Sequence, residues 1–246
     1  MSVYVVSHKE IDFELPTGYK KIYVGKNSSK LAQEQNALTD SKGQEIADKN
    51  SQYSELTAQY WIWKNSKDPI KGLVHYRRLL KNPKDKVPIA FENIENILKN
   101  TDVIVSQRVY VRNNIQEDYE NHHYKKDLSL VNDIIEQMYP QYIDSYKEVM
   151  SSKRYHSLNI LITSSEIFDA YSEWLFSILF EMESRINTDG YSSYQSRVYG
   201  FLSERLLDVW LTYNDKILIE MPILFRESNW QFLIKRQLRQ TFNRWV

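Results

Sequence analysis

The 246-residue chain has 42% hydrophobic residues and 32 basic against 32 acidic residues, so it can bury a substantial core and carries no net charge. A neutral chain without a basic stripe argues against a nucleic-acid-binding protein, and it leaves anion binding to local clusters of charge. The absence of cysteine excludes disulfides and thiolate metal sites, and no apolar run approaches the ~20 residues that span a bilayer. The first residues lack the basic flank and long apolar stretch of a secretory signal, so we expect a single cytoplasmic domain.

Strand and helix patterns alternate along the first part of the chain. The runs "VYVVS" and "KIYVG" are rich in β-branched and aromatic residues and predict buried strands. A polar loop over residues 26–50 follows, with Asn50 as the expected N-cap of an amphipathic helix in "YSELTAQYWIWKN". Next come a strand in "IKGLVHY", a helix in "FENIENILKN" and a strand in "TDVIVS". This alternation predicts an α/β fold.

The second part of the chain is mainly helical. Helical periodicity runs through "SLVNDIIEQMYPQYIDSYKEVM", "SEIFDAYSEWLFSILFEMESRI" and "SYQSRVYGFLSERLLDVWL". One apolar strand, "SLNILIT", is expected before the second of these segments. We therefore expect one domain over residues 1–246 whose C-terminal half is rich in helices.

Polar and cationic residues follow two of the predicted strands. They are Ser7, His8, Lys9, His75, Tyr76, Arg77 and Arg78. Ligands bind open α/β sheets outside the carboxyl ends of the strands. The planar fork of arginine makes paired contacts with phosphate oxygens, so Arg77 and Arg78 would suit a diphosphate. The alternative is that both arginines are ordinary surface charges in a loop.

Four longer blocks carry a resemblance to a known family. "KNSQYSELTAQYWIWKN", "GLVHYRRLL", "HYKKDL" and "RVYGFLSERLLDVWL" resemble, in order, the signature blocks of a bacterial glycosyltransferase family first catalogued as a domain of unknown function. That family occurs in capsule, exopolysaccharide and O-antigen gene clusters and includes galactofuranosyltransferases. The resemblance implies an A-type glycosyltransferase fold with a Rossmann-like sheet. It implies a nucleotide-binding half over about 1–110, an acceptor-side helical half over about 111–229, and a tail over about 230–246.

Many A-type glycosyltransferases hold a divalent metal with an Asp-x-Asp motif, and this sequence has none. We therefore expect arginine to neutralise the donor diphosphate with no cofactor required, although scattered carboxylates such as Asp40 leave a divalent metal open. Asp40 lies in "TDSKGQEIADKN", which resembles a family segment richer in Asp, Gly and Asn. Gln44 and Glu45 depart from that pattern, which leaves the sugar specificity open. Asp40 is predicted either to contact the donor or to lie in a solvated loop.

Two carboxylates are candidates for the catalytic base that removes the proton of the acceptor hydroxyl. Asp127 lies in "HHYKKDL", outside the nucleotide half, and is the preferred base. Glu204 is the alternative, because it shares a helix face with Arg197 and Asp208. The structural alternatives are a helix cap for Asp127 and an ion pair with Arg197 or Arg205 for Glu204.

The acceptor side is expected to use histidine, amide and guanidinium groups. These candidates are His122, His123, His156, Asn159 and Arg197. A zinc site is disfavoured, because the histidines are widely separated and no His-x-x-x-His pair occurs. His156 and Asn159 match a family block around "RYHSLNILI", with a packed structural histidine as the alternative for His156.

The C-terminal segment "WQFLIKRQLRQTFNRWV" predicts a basic amphipathic helix. Its apolar edge is formed by Ile234, Leu238, Phe242 and Trp245, and its charged residues are all basic. Such a helix could lie on an anionic membrane surface or dock on the domain or another subunit.

The family resemblance implies a hexosyltransferase that moves a sugar, with galactofuranose as the first candidate, from a UDP-sugar to a saccharide acceptor in bacterial surface polysaccharide synthesis. The expected acceptor is lipid-linked, and the expected location is the cytoplasm, with peripheral contact at the inner face of the membrane. The alternative is a non-catalytic scaffold of a polysaccharide assembly complex.

Overall fold

The computed structural model describes residues 2–226 and 230–245 of the chain. The strands are β1 Ser2–Ser7, β2 Tyr19–Tyr23, β3 Leu38–Thr39, β4 Ile70–His75, β5 Arg78–Leu80, β6 Val103–Ser106, β7 Val109–Tyr110, β8 Arg154–Tyr155, β9 Leu161–Ser164, β10 Leu218–Met221 and β11 Ile223–Phe225. The α-helices are α1 Ser28–Glu34, α2 Asn50–Tyr53, α3 Leu56–Asn65, α4 Phe91–Leu98, α5 Ile115–His122, α6 Lys125–Met138, α7 Ile143–Ser151, α8 Ser165–Arg185, α9 Val198–Tyr213 and α10 Trp230–Trp245.

One sheet runs through the molecule in the order β10-β6-β9-β4-β1-β2-β3, with β5 and β11 added beside β4. The pairs β1–β2, β1–β4, β2–β3 and β6–β10 are parallel. Strand β9 lies between β4 and β6 and is antiparallel to both. The sheet is therefore built from both halves of the chain, and it is mainly parallel.

The reversed strand β9 decides which loops meet at one edge of the sheet. The carboxyl ends of β1, β4 and β6 lie at one edge, because these strands point the same way. Strand β9 runs oppositely, so the loop that precedes it, residues 156–160, reaches that same edge. A loop of the C-terminal half is thereby placed beside the strand ends of the N-terminal half.

Alternating side chains of the strands fill two cores, one on each face of the sheet. In β1, Tyr4 and Val6 belong to one core, and Val3 and Val5 belong to the other. All four side chains are buried, as expected for a strand with neighbours on both sides. The first core also receives the long helices α6, α8 and α9, and the second is covered by α1 and α4.

The sequence patterns locate most elements correctly, but residues 26–50 are not a plain loop. They contain α1, the short strand β3 and a 3₁₀ turn over Ala47–Lys49. Asn50 is the first residue of α2 rather than an N-cap, so that prediction is wrong. Its side-chain amide instead donates to the carbonyl of Ser54 and to Oγ1 of Thr57. Ser54, at φ 54°, separates α2 from α3.

Candidate active site

A cleft of about 360 Å³ opens at the carboxyl ends of β1 and β4. We call it the donor-side cleft, because it is lined by most of the residues that the sequence predicts to bind the donor. It is lined by Val6, Ser7, His8, Val24, Asn50, Ser51, Ser54, Glu55, His75, Tyr76, Arg77, Arg78, Leu158, Arg197 and Glu204. Its size is within the range of small-molecule sites, and its position is the one where open α/β sheets bind ligands.

The two adjacent arginines reach this cleft on a tight hairpin. His75 pairs with Arg78 across β4 and β5, so Tyr76 and Arg77 form the two-residue turn between them. The Arg77 guanidinium lies over the ring of Tyr76, 5.2 Å from its centroid. Arg226 donates its backbone amide to the carbonyl of Arg77, which continues the pairing of β11 with β5. The hairpin thus presents both arginines from a hydrogen-bonded backbone.

The loop after β1 supplies the next wall of the cleft. Oγ of Ser7 donates to the carbonyl of Lys9 and accepts a hydrogen bond from the Lys9 amide, which holds the loop in a compact turn. His8 lies edge-on to Tyr76 with their ring centroids 5.8 Å apart. Burial lowers the pKa of His8, and the nearby cations Lys9, Arg77 and Arg197 act in the same direction. His8 is therefore a neutral hydrogen-bonding group near pH 7.

Leu158 connects three parts of the donor-side cleft. Its amide donates a hydrogen bond of 2.9 Å to Oε1 of Glu204, and its carbonyl accepts one of 2.7 Å from Nε2 of His75. Leu158 has a φ of 80°, a conformation that costs a leucine energy and that clusters at functional sites. The next residue, Asn159, donates its side-chain amide to Oε1 of Glu55 at 2.7 Å. One short loop therefore holds both Glu204 and Glu55.

Glu204 is suited to accept a proton. Burial raises the pKa of its carboxyl group, with Arg205 opposing this and Glu55 adding to it. Its Oε2 receives a hydrogen bond from Arg205, so the ion pair given as the structural alternative for Glu204 is present, and the side chain also lines the cleft. Arg197 is held beside it, because its Nε donates to Oγ of Ser54 at 2.9 Å. A carboxylate with a raised pKa and fixed hydrogen bonds is a suitable general base.

A second cleft, of about 480 Å³, lies next to the first and shares Glu204 with it. We call it the acceptor-side cleft, because His122 and His123, which the sequence predicts to bind the acceptor, line it. It is lined by Val109, Tyr110, Val111, Asp118, His122, His123, Tyr155, Ser157, Tyr194, Phe201, Glu204, Arg205, Lys235, Arg239 and Gln240. Aromatic rings and polar groups alternate around it, a combination that suits a sugar, whose ring has apolar C–H faces and polar edges.

His123 and its neighbours form the aromatic floor of the acceptor-side cleft. The imidazole stacks on Phe201 with centroids 4.1 Å apart, and the ring of Tyr194 lies 5.9 Å away on a nearly parallel plane. Nδ1 of His123 donates to the side-chain oxygen of Gln195 at 3.0 Å. Burial lowers the pKa of His123, which favours the neutral ring. Since Nδ1 donates to Gln195, Nε2 of the neutral ring can accept a hydrogen bond. His122 lines the same cleft and bonds the backbone carbonyl of Asp118.

His156 lies beneath the loop and not in either cleft. Its side chain is fully buried, with Nδ1 donating to Asp208 at 2.5 Å and Nε2 lying 3.6 Å from Glu220. Burial lowers the pKa of His156, but the hydrogen bond to Asp208 and the nearby carboxylate of Glu220 outweigh this and raise it overall. The guanidinium of Arg108 donates to the same oxygen of Glu220, Oε1, and the Arg108 backbone amide donates to Oε2. The packed structural histidine therefore describes His156 better than direct contact with the acceptor.

The remaining predicted site residues have less direct positions. Asp127 is buried, and among the described residues it is not one that lines either cleft. Its Oδ1 accepts a hydrogen bond of 2.6 Å from the hydroxyl group of Tyr191. The preference for Asp127 as the base therefore has no support from its position. Asp40 is fully buried and accepts from Thr57, and burial raises its pKa to about 6. Lys9 follows the donor-side cleft without lining it.

Several residues of the two clefts were missed as candidates from the sequence, among them Ser54, Glu55 and Leu158 of the donor-side cleft and Asp118, Tyr194, Phe201 and Arg205 of the acceptor-side cleft. Glu55 lies in "KNSQYSELTAQYWIWKN", the most specific of the family blocks, and this position was the one sequence feature that could have marked Glu55 as a site residue. Within residues 2–226 and 230–245, no three His, Asp or Glu side chains converge into a group that could hold a metal ion. Over the same residues, no helix is both long enough and apolar enough to cross a membrane.

Comparisons with known proteins agree with this architecture. A family model described as "Domain of unknown function (DUF4422)" matches residues 2–215. The chain is also similar to a solved apo structure of WbbM, a bifunctional glycosyltransferase, with 26% sequence identity and a TM-score of 0.79. No curated protein matches the chain. The predicted α/β fold of the glycosyltransferase type is thereby confirmed.

The similarity to WbbM covers 93% of this chain but only 45% of the other protein. This chain therefore spans less than half of the length of that bifunctional protein, and it corresponds to one part of it.

Proposed function

The chain belongs to the DUF4422 family, and from this premise we propose that it is a glycosyltransferase that moves a sugar from a nucleotide-sugar donor to a saccharide acceptor. The observation that carries the proposal is the pair of clefts joined at Glu204. One cleft is cationic and lies at the carboxyl ends of parallel strands, and the other is lined by aromatic rings. The similarity to a bifunctional glycosyltransferase supports the same reaction class.

The donor-side cleft suits a nucleoside diphosphate sugar. Arg77, Arg78 and Arg197 line it together, and guanidinium groups make paired, charge-assisted hydrogen bonds to phosphate oxygens. Fixed cations beside the diphosphate would also stabilise the charge that develops on it as the leaving group. We propose UDP as the nucleotide and galactofuranose as the first sugar to test, following the resemblance of the sequence to galactofuranosyltransferases.

The base proposed for the reaction is Glu204. The acceptor hydroxyl would enter from the acceptor-side cleft, pass its proton to Glu204 and form a bond from its oxygen to the anomeric carbon of the sugar. The bond between that carbon and the β-phosphate oxygen would break, and the electron pair would leave with the nucleoside diphosphate. The raised pKa of Glu204 and its place between the two clefts support this role.

The acceptor-side cleft would bind the acceptor saccharide by stacking and hydrogen bonding. Phe201, His123 and Tyr194 offer overlapping ring faces, and Asp118 and His122 offer polar groups at the rim. We propose a saccharide of bacterial surface polysaccharide synthesis as this acceptor and the cytoplasm as the place of reaction. His122 and His123 remain predicted acceptor contacts, whereas Arg197, also predicted on the acceptor side, lines the donor-side cleft. Asn159 and His156 line neither cleft, and on this account they support the loop that carries Leu158.

A transfer assay tests the proposal. The full chain is incubated with a panel of UDP-sugars, including UDP-galactofuranose, and with saccharide acceptors, and release of UDP is followed. The proposal predicts acceptor-stimulated release of UDP from one donor of the panel. A protein that binds no UDP-sugar and releases no UDP from any of them would instead fit the non-catalytic scaffold.

A further inference from the structure

Helix α10 docks on the domain through its polar side. The side-chain oxygen of Gln240 accepts from the backbone amide of Tyr110 at 2.6 Å, and the amide groups of Gln240 and Asn243 donate to the Tyr110 carbonyl. Asn243 is buried by this contact. A surface helix ordinarily packs with its apolar stripe against the core, whereas these contacts of α10 with the domain are made by polar side chains.

Three apolar side chains in the described part of α10 are exposed to solvent. Ile234, Leu238 and Phe242 recur every fourth residue and share one face of the helix. Their side chains are 48%, 65% and 57% exposed, respectively. Trp245 was predicted to extend this edge, but its side chain lies outside the described part of the structure. Within the described part, the domain leaves three consecutive large apolar groups of one helix face open to solvent.

The charged residues of α10 itself have a single sign, and one of them, Arg239, also lies 3.6 Å from the carboxylate of Asp118. α10 contains four basic residues and no acidic one in its sequence, as far as Trp245. Lys235 and Arg239 each follow an apolar residue of the face by one position, so they flank it on the same side. Both also line the acceptor-side cleft. An apolar row beside a basic flank is the pattern of helices that lie in the interface of an anionic membrane.

We propose that α10 binds the surface of an anionic phospholipid bilayer. Ile234, Leu238 and Phe242 enter the boundary between headgroups and acyl chains, and Lys235 and Arg239 contact the lipid phosphates. A second copy of this chain fits the face less well, because a symmetric contact would bring the basic flanks of two helices together. A bilayer supplies both the apolar layer and the opposite charge.

This surface would bring the mouth of the acceptor-side cleft to the membrane, because Lys235 and Arg239 belong to both. If the chain is the transferase proposed above, the acceptor that fits this arrangement is a saccharide carried by a membrane lipid. This inference about the acceptor rests on the proposed function. The membrane binding itself does not require the transferase function.

Vesicle sedimentation of the full chain tests the proposal. We expect the protein to sediment with vesicles of phosphatidylglycerol and phosphatidylcholine, to bind vesicles of phosphatidylcholine alone much less, and to be released by high salt. The double variant Leu238→Gln, Phe242→Gln should lose at least about tenfold in vesicle affinity, since both side chains are exposed in the free protein and would enter the lipid. Lys235→Glu should weaken binding to the anionic vesicles only.

Matched controls come from exposed residues elsewhere. Ile217→Gln removes a side chain that is 63% exposed in the loop before β10, and Lys99→Glu reverses an exposed charge after α4. Both should leave vesicle binding unchanged. Equal binding by the wild type and the double variant, equal binding to both vesicle types, or no binding would overturn the proposal. A dimer in solution that the double variant dissociates would assign the face to self-association instead.

Calorimetric binding of UDP separates this proposal from the transferase function. The double variant should bind UDP as the wild type does, because Leu238 and Phe242 line neither cleft. If the double variant loses vesicle binding but binds UDP normally, the result supports the membrane-binding role of α10 and leaves the transferase function untouched. Normal vesicle binding by a wild type that binds no UDP would contradict only the transferase function.

Discussion

The backbone amide of Leu158 donates a hydrogen bond of 2.9 Å to the carboxylate of Glu204. Leu158 lies in the loop before β9, and Glu204 lies in helix α9. Leu158 also accepts a hydrogen bond from His75 at the end of β4. Through Leu158 the proposed base is fixed relative to the hairpin that carries Arg77 and Arg78. The geometry between the base and the diphosphate site therefore depends on the backbone and not on flexible side chains alone.

Glu204→Gln should lower kcat by about 10²–10⁴-fold, because glutamine cannot take the proton of the acceptor hydroxyl. The Kd for UDP should change little, since the nucleotide contacts proposed here come from the arginines. Asp127→Asn is the matched variant, and it should keep kcat while reducing thermal stability through its hydrogen bond with Tyr191. Steady-state transfer kinetics and thermal unfolding of both variants provide the measurement. A large loss of kcat confined to Asp127→Asn would return the role of base to Asp127.

Transfer should persist in excess chelator. Fixed guanidinium groups in the donor-side cleft would neutralise the leaving diphosphate, a task that a divalent ion performs in many glycosyltransferases. The measurement is the rate of UDP release with chelator, and again after addition of manganese or magnesium. Activity that disappears with chelator and returns with one of these ions would contradict the arginine account.

The buried network of His156, Asp208 and Glu220 should make stability depend on pH in a defined window. The pKa of His156 is raised, so its contribution is present below the ordinary value of 6.5 and is lost as the pH rises through the folded-state pKa. The pKa of Glu220 is lowered to about 2, chiefly by its contact with His156, whose Nε2 lies 3.6 Å from Oε1, so its contribution is present above 4.5 and is lost as the pH falls toward 2. The network is therefore most stabilising between about 4.5 and 6.5.

His156→Asn should remove this pH dependence. The measurement is the free energy of unfolding from denaturant titrations at a series of pH values. Above pH 6.5 the wild type should lose stability relative to the variant as the pH increases. His122→Asn, at a histidine on the protein surface, serves as the control and should follow the wild-type curve. If the stability of His156→Asn and of the wild type changed with pH in parallel, the pKa of His156 would be the same in the folded and the unfolded state, which would contradict this prediction.

The sequence predicts those parts of the fold that hydrophobic periodicity marks. Buried strands such as β1 and long amphipathic helices such as α8 and α9 occur where their patterns predict them. The region over 26–50 was not predicted, because α1 has only seven residues and β3 only two, and polar residues dominate both flanks. The short strands β10 and β11 were also missed, because their positions depend on pairing with β6 and β5, which local patterns do not record.

The candidate site divides in a similar way. Arg77, Arg78 and His75 were predicted from their place at a strand end, a rule that the topology of the sheet satisfies. Leu158 carried no signal, because its role depends on its backbone atoms and on a positive φ. Glu204 could not be ranked above Asp127, since only the packing of α9 between the two clefts distinguishes the two carboxylates. Long-range placement, and not residue type, decided both cases.

The central claim is that Arg77 and Arg78 hold the diphosphate of a nucleotide-sugar donor, and calorimetric titration of UDP into the wild type, Arg77→Ala and Arg78→Ala tests it most directly. Each variant should lose about 1.5–3 kcal/mol of binding free energy, or roughly 10- to 150-fold in Kd, because each removes charge-assisted hydrogen bonds. Arg154→Ala, at an exposed arginine of β8 away from both clefts, should bind UDP like the wild type. Unchanged UDP affinity in both Arg77→Ala and Arg78→Ala would contradict the account.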